Sequence, residues 1–150
     1  MRLTAHKSDR RDRLIGLGLF LPSSVVLGLA AWLEPDPTGV GTHQQLGLAG
    51  CFVLEQMGVP CPMCGMTTTF SHMAHFEVIS ALLTQPFGVV LFLITLAAAV
   101  IGLMDLILPA KRWLRVGRWF AARDRALAGA LLAAMFAGWF YKIALMQEIL

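Results

Sequence analysis

The sequence predicts an all-α membrane protein: three transmembrane helices, plus a re-entrant or interfacial helix after a Cys-Pro-x-Cys-Gly loop. Three observations predict it. The 150 residues are 57% hydrophobic and only 14% charged, where soluble domains run at roughly 45–50% and about 25%. Three apolar stretches reach the ~20 residues that a helix needs to cross ~30 Å of hydrocarbon. Of the 12 Lys and Arg residues, none lies between Leu14 and Ala110. The length suits a single membrane domain, residues 1–150.

Residues 1–13 form a short basic flank, with Arg2, Lys7, Arg10, Arg11 and Arg13 against Asp9 and Asp12. Residues 14–33 carry no charge and make the first span. Pro22 predicts a kink there, with Ser23 and Ser24 able to take up freed backbone groups. A cleaved signal peptide is the rival reading, with Gly28-Leu29-Ala30 as its small-x-small site. The apolar run exceeds the ~7–15 residues of a signal-peptide core, which favours a retained span. Residues 34–85 follow as one loop region. It opens with the turn-rich Glu34 to Gly41 and continues through Leu46 to Leu54, an apolar run too short to span and read as lying along the interface. After the Cys motif, Thr67 to Gln85 scatters its apolar residues around the helical circumference and so presents no single greasy face. This segment is read as a helix packed on, or dipping into, the bilayer.

Residues 86–108 make the second span, opened by Pro86 at a favourable first-turn position. Its one charge, Asp105, falls within a turn of the end and is read as snorkelling to the headgroups. Residues 109–125 are basic, with Trp113, Trp119 and Phe120 interleaved among Lys111, Arg112, Arg115, Arg118, Arg123 and Arg125. Beside two spans, that pattern describes an interfacial helix on anionic lipid rather than a surface that stacks bases. Residues 126–145 make the third span, with Trp139, Tyr141 and Lys142 as its interfacial anchors.

The cations also predict orientation. Those outside Lys142 fall either before the first span or between the second and third. The positive-inside rule therefore puts the N-terminus and the 109–125 loop in the cytoplasm and the 34–85 loop on the exoplasmic side. The expected location is a bacterial inner membrane with N-terminus inside. The lipid bilayer is the expected first partner, and nucleic acid is excluded because the basic residues follow topology rather than forming one patch.

The chemistry-bearing residues cluster between Cys51 and His75. Pro62 fixes φ, Gly65 can take the positive φ of a tight turn, and Thr67 can cap a new helix. Cys61 and Cys64 have the spacing of redox-active dithiols, and Cys51 is the odd third thiol. On the exoplasmic side paired thiols form disulfides, and a helix N-terminus next to Cys64 favours a thiolate. A metal reading takes Cys61, Cys64, His72 and His75 as a zinc set. Along one straight helix, however, Cys64 and His72 would lie about 12 Å apart, too far for one tetrahedral ion. A copper reading adds the soft thioethers of Met57, Met63, Met66 and Met73. A structural reading treats the cysteines as a staple of a shaped turn. Glu55 and Glu77 are isolated, and no triad, phosphate loop or carboxylate pair stands out.

The run Cys61-Pro62-Met63-Cys64-Gly65-Met66-Thr67, followed by Phe70, Ala81 and Gln85-Pro86, resembles a bacterial family of small membrane proteins, domain-of-unknown-function family 2752. The family pattern reads C-P-x-C-G-x-T-R-x-F, then an Ala and an Asn-Pro, and the likeness covers roughly residues 45–95. Thr68 stands where the family has Arg, and Gln85 where it has Asn. The resemblance implies an inner-membrane location and a helical fold, and it supplies no established activity. The expectation is therefore a non-catalytic accessory or complex subunit, whose exoplasmic Cys loop docks a membrane or periplasmic protein. The alternative is a thiol–disulfide or metal (Zn or Cu) handling protein acting through Cys61 and Cys64.

Overall fold

Helix is the only regular structure among the residues that the computed structural model describes, 2–108 and 112–148. Three helices are long and apolar enough to cross a membrane. α1 (Arg2–Trp32) runs straight on from the basic flank, α5 (Pro86–Ile107) begins on its proline, and α7 (Asp124–Glu148) closes the chain. Between α1 and α5 lie a 3₁₀ turn (Thr42–Leu46), α2 (Phe52–Met57), α3 (Met66–Ala74) and α4 (Val78–Thr84). α6 (Arg112–Ala121) joins α5 to α7. Pro109, Ala110 and Lys111, the start of the basic loop, lie outside the described residues.

α1 lies along α5, and α3 wedges against both. Small residues set the α1–α5 distance. A β-carbon on Gly16 would meet the Gly102 carbonyl at 2.8 Å, and one on Gly102 would meet the Gly16 carbonyl and the Phe20 nitrogen at 2.7 Å. The two backbones therefore touch, the close approach that small residues permit between spans.

The segment after the Cys loop is two helices, not the single helix expected over Thr67 to Gln85. The break has an identifiable cause. Glu77 donates its N–H to the His72 carbonyl at 2.9 Å and Phe76 donates to Met73 at 3.2 Å, the paired bonds of a Schellman ending. Phe76 takes the left-handed position, φ 64°, that glycine normally fills. Its ring is 90% exposed, so no packing within the chain holds it there.

Two charges sit otherwise than the sequence suggests. Asp105 does not snorkel; it is fully buried. Its carboxylate accepts from the Arg112 guanidinium at 3.1 Å and the Trp113 N–H at 3.1 Å. The same guanidinium donates to the Leu108 carbonyl (2.8 Å), beyond the end of α5, and to the Met104 carbonyl (3.2 Å), which also accepts the Leu108 N–H. Snorkelling loses because α6 folds back and brings the cation to the acid. Trp113 also donates its indole N–H to Asp12 of α1 at 3.3 Å, so α6 is pegged to both long helices. Lys142 is the second case: it is no interfacial anchor but 5% exposed, with Nζ donating to the Gly39 carbonyl at 3.3 Å.

Candidate functional site

The loop between α1 and α3 is threaded back to the helix ends by polar side chains. Thr42 donates its hydroxyl to Thr68 at 2.9 Å and accepts the Asp36 N–H at 2.9 Å. Ser71 donates its hydroxyl to the Leu33 carbonyl, fastening α3 to the end of α1. Gln85 donates its amide to the Pro62 carbonyl at 3.2 Å, and Trp139 of α7 donates to Pro60 at 2.7 Å. The carbonyls on either side of Cys61 are thus held, one from the start of α5 and one from α7.

The turn closes on itself. Cys64 donates its N–H to the Cys61 carbonyl at 3.0 Å, and Met66 donates to Met63 at 3.1 Å. Gly65 then takes φ +86° and caps α3. Only glycine suits that point: besides the positive φ, a β-carbon would lie 2.7 Å from the Gly39 carbonyl. Thr67 makes no cap hydrogen bond, because the helix has already begun at Met66. Thr68 and Thr69 are buried inside α3 instead.

This geometry brings three thiols together. The Sγ atoms of Cys51, Cys61 and Cys64 all lie within 4.8 Å of one another, and Cys61 and Cys64 are 3.3 Å apart. The Cys61 N–H also donates to Cys64 Sγ at 3.2 Å. The three line a cavity of about 490 Å³ with Met63, Met66 and His43. Their acidities diverge. The Leu54 N–H, placed where α2 starts, pulls Cys51 down to about 7, with the neighbouring thiols helping. Burial pushes Cys64 up to about 12, reinforced by its hydrogen bonds with the other two thiols. Lys142 places its amine beside this turn, 3.5 Å from where a Gly65 β-carbon would stand.

The histidines go elsewhere. His72 pairs with Glu77 at 2.6 Å, and His75 shares a hydrogen bond with the Ser71 carbonyl at 2.8 Å. Neither joins the thiol group. The sequence offers Cys51 as a third redox candidate but not its place beside the pair, nor the bonds by which Gln85 and Trp139 hold the turn and Lys142 holds the neighbouring Gly39 loop. The two departures from the family pattern have clear places. Thr68 is buried against Thr42, and Gln85 reaches the Pro62 carbonyl.

An acidity gap between two neighbouring thiols has a direct readout. Alkylation of Cys51 is expected to accelerate from about pH 6 to about pH 8 and then level off, since the thiolate is the reacting species. Over the same range Cys64 should label far more slowly, its rate still climbing with pH and reaching no plateau. Peptide mass mapping after timed labelling of the reduced protein distinguishes the two; equal profiles would refute the divergence.

Fold and site together define a class: a small helical protein with three span-length helices and a thiol pocket between its loop and its helix ends. Residues 51–99, which hold all three cysteines, match the family described as protein of unknown function (DUF2752). No curated protein and no solved structure matches the chain.

Proposed function

We propose that the protein is an inner-membrane thiol–disulfide exchange protein, its Cys loop facing the exoplasm and acting through Cys61 and Cys64 with Cys51 as resolving thiol. The observation that carries this reading is the 3.3 Å approach of the Cys61 and Cys64 sulfurs in a turn bonded by Gln85 and Trp139. In the oxidised state a thiolate of a partner protein's dithiol attacks Cys61 Sγ. The Cys61–Cys64 bond breaks, Cys64 leaves as the thiolate and takes a proton, and a mixed disulfide forms on Cys61. The partner's second thiolate then attacks its own sulfur in that mixed disulfide, releasing Cys61 as thiolate. The partner leaves oxidised and the pair reduced. Cys51 competes for the same mixed disulfide, because its sulfur is within reach and ionises near neutrality.

The accessory role expected from the sequence belongs to the same loop, since exchange requires that a partner dock. α2, directly after Cys51, leaves Phe52 and Met57 about three-quarters exposed, an apolar rim suited to a membrane or periplasmic protein. The test is redox equilibration of the purified protein in glutathione buffers, followed by alkylation and intact-mass measurement. The expected result is reversible loss of two alkylatable thiols with one midpoint, shifted by Cys61→Ser or Cys64→Ser and abolished when either is combined with Cys51→Ser. Three thiols that alkylate identically across every buffer would sink the proposal. The orientation is tested separately with a membrane-impermeant maleimide on intact cells, which should reach reduced Cys61.

A further inference from the structure

We infer that the reduced loop is also a binding site for one Cu(I) ion, held by the sulfurs of Cys51, Cys61 and Cys64. The inference rests on the thiols of the exchange reading, though not on their exchange. Three sulfurs around one ion at about 2.3 Å stand about 4 Å apart in a trigonal plane. The observed separations, 3.3 Å for one pair and none above 4.8 Å, bracket that value.

The donor set chooses the metal. Structural zinc is almost always four-coordinate, and among the described residues no His, Asp or Glu completes the group. His72 and His75 are committed to Glu77 and to the Ser71 carbonyl. Three thiolates suit a soft ion content with three ligands, and Cu(I) is that ion. The thioethers of Met63 and Met66 line the same cavity, so the surroundings are soft as well.

Charge balance supplies a second argument, independent of the sulfur geometry. Binding breaks three S–H bonds, forms three Cu–S bonds and releases three protons to water, with no electron transferred. The product carries two negative charges in a half-buried pocket. Lys142 sits beside it, 5% exposed and with a single carbonyl partner. A buried ammonium so poorly partnered calls for an anion, and the thiolate cluster is the anion within reach. A Cys61–Cys64 disulfide removes two ligands, so loading requires the reduced state.

The experiment uses the full chain in detergent, reduced under argon, with Cu(I) supplied as its acetonitrile complex against bicinchoninate as competitor. One ion per chain is expected, with three sulfur neighbours by X-ray absorption. Cys51→Ser should weaken retention by more than about a hundredfold, and Lys142→Met by roughly tenfold, the range for an outer-shell group. His72→Ala with His75→Ala should change nothing. Copper lost to bicinchoninate by the wild type, retention by Cys51→Ser equal to wild type, or tighter binding of Zn(II) than of Cu(I) would each overturn the site. The sulfur count on the wild type stands even if a variant misfolds. Cys51→Ser keeps the Cys61–Cys64 pair, so exchange measured on it separates failure of the copper site from failure of the redox reading.

Discussion

Replacing Gly102 by leucine is expected to break the pairing of α1 with α5 and to cost about 3 kcal/mol or more, the upper range for overpacking. The added carbons would have to enter space held by the Gly16 carbonyl and the Phe20 nitrogen, both 2.7 Å from the β-position. Backbone cannot rotate aside as a side chain can, so the helices must separate. Separation also strips α3 of the surface on which it packs, and the Cys loop loses its support. Gly16→Leu should behave alike, since its β-position faces the Gly102 carbonyl at 2.8 Å. Gly18→Leu is the control: nothing lies within 4 Å of its β-position, and its effect should stay within about 0.5 kcal/mol. Thermal unfolding in one detergent compares all three. Equal shifts for Gly102→Leu and Gly18→Leu would show that the backbones do not touch.

Arg112→Ala should cost about 3 kcal/mol, the lower end for removing one partner of a buried ion pair. The guanidinium is 27% exposed but its acid only 1%, so removal strands Asp105 with backbone donors alone. It also takes the guanidinium from the Leu108 carbonyl, while the Met104 carbonyl keeps the Leu108 N–H. The informative comparison is the double variant Asp105→Leu with Arg112→Met. Buried pairs replaced by apolar side chains of similar size are often neutral or better, so the double variant should recover most of the loss. A double variant as unstable as Arg112→Ala would mean that the carbonyl caps, not the carboxylate, carry the effect.

How much of this was legible depends on the range over which each signal acts. The three spans could be read because hydropathy is summed along the chain, and Pro86 marks where α5 begins. The Cys turn could be read because Pro62 and Gly65 dictate backbone angles locally. The break at Phe76 could not: an aromatic residue at a left-handed position runs against its own preference. Asp105 and Lys142 were misplaced for one reason. Within a single helix each is a charge near a water boundary, and only the return of α6, or of the Gly39 loop, provides a partner. Cys51 entered the thiol group through the third dimension, since its distance in sequence from Cys61 says nothing of a shared cavity. The paired histidines were tempting on helical spacing, yet their near neighbours Glu77 and Ser71 take them first.

The buried amine of Lys142 bears on the order in which the protein is made. A ribosome releases the loop residues well before α7, so the Gly39 carbonyl and the cysteine turn exist when that helix reaches the bilayer. When α7 arrives, its Trp139 and Lys142 meet the Pro60 and Gly39 carbonyls and complete the loop, so the cation trades water for an acceptor rather than for hydrocarbon. Vectorial synthesis here runs in the same direction as assembly, and a chain permuted to begin with α7 would have to carry that charge unaccompanied.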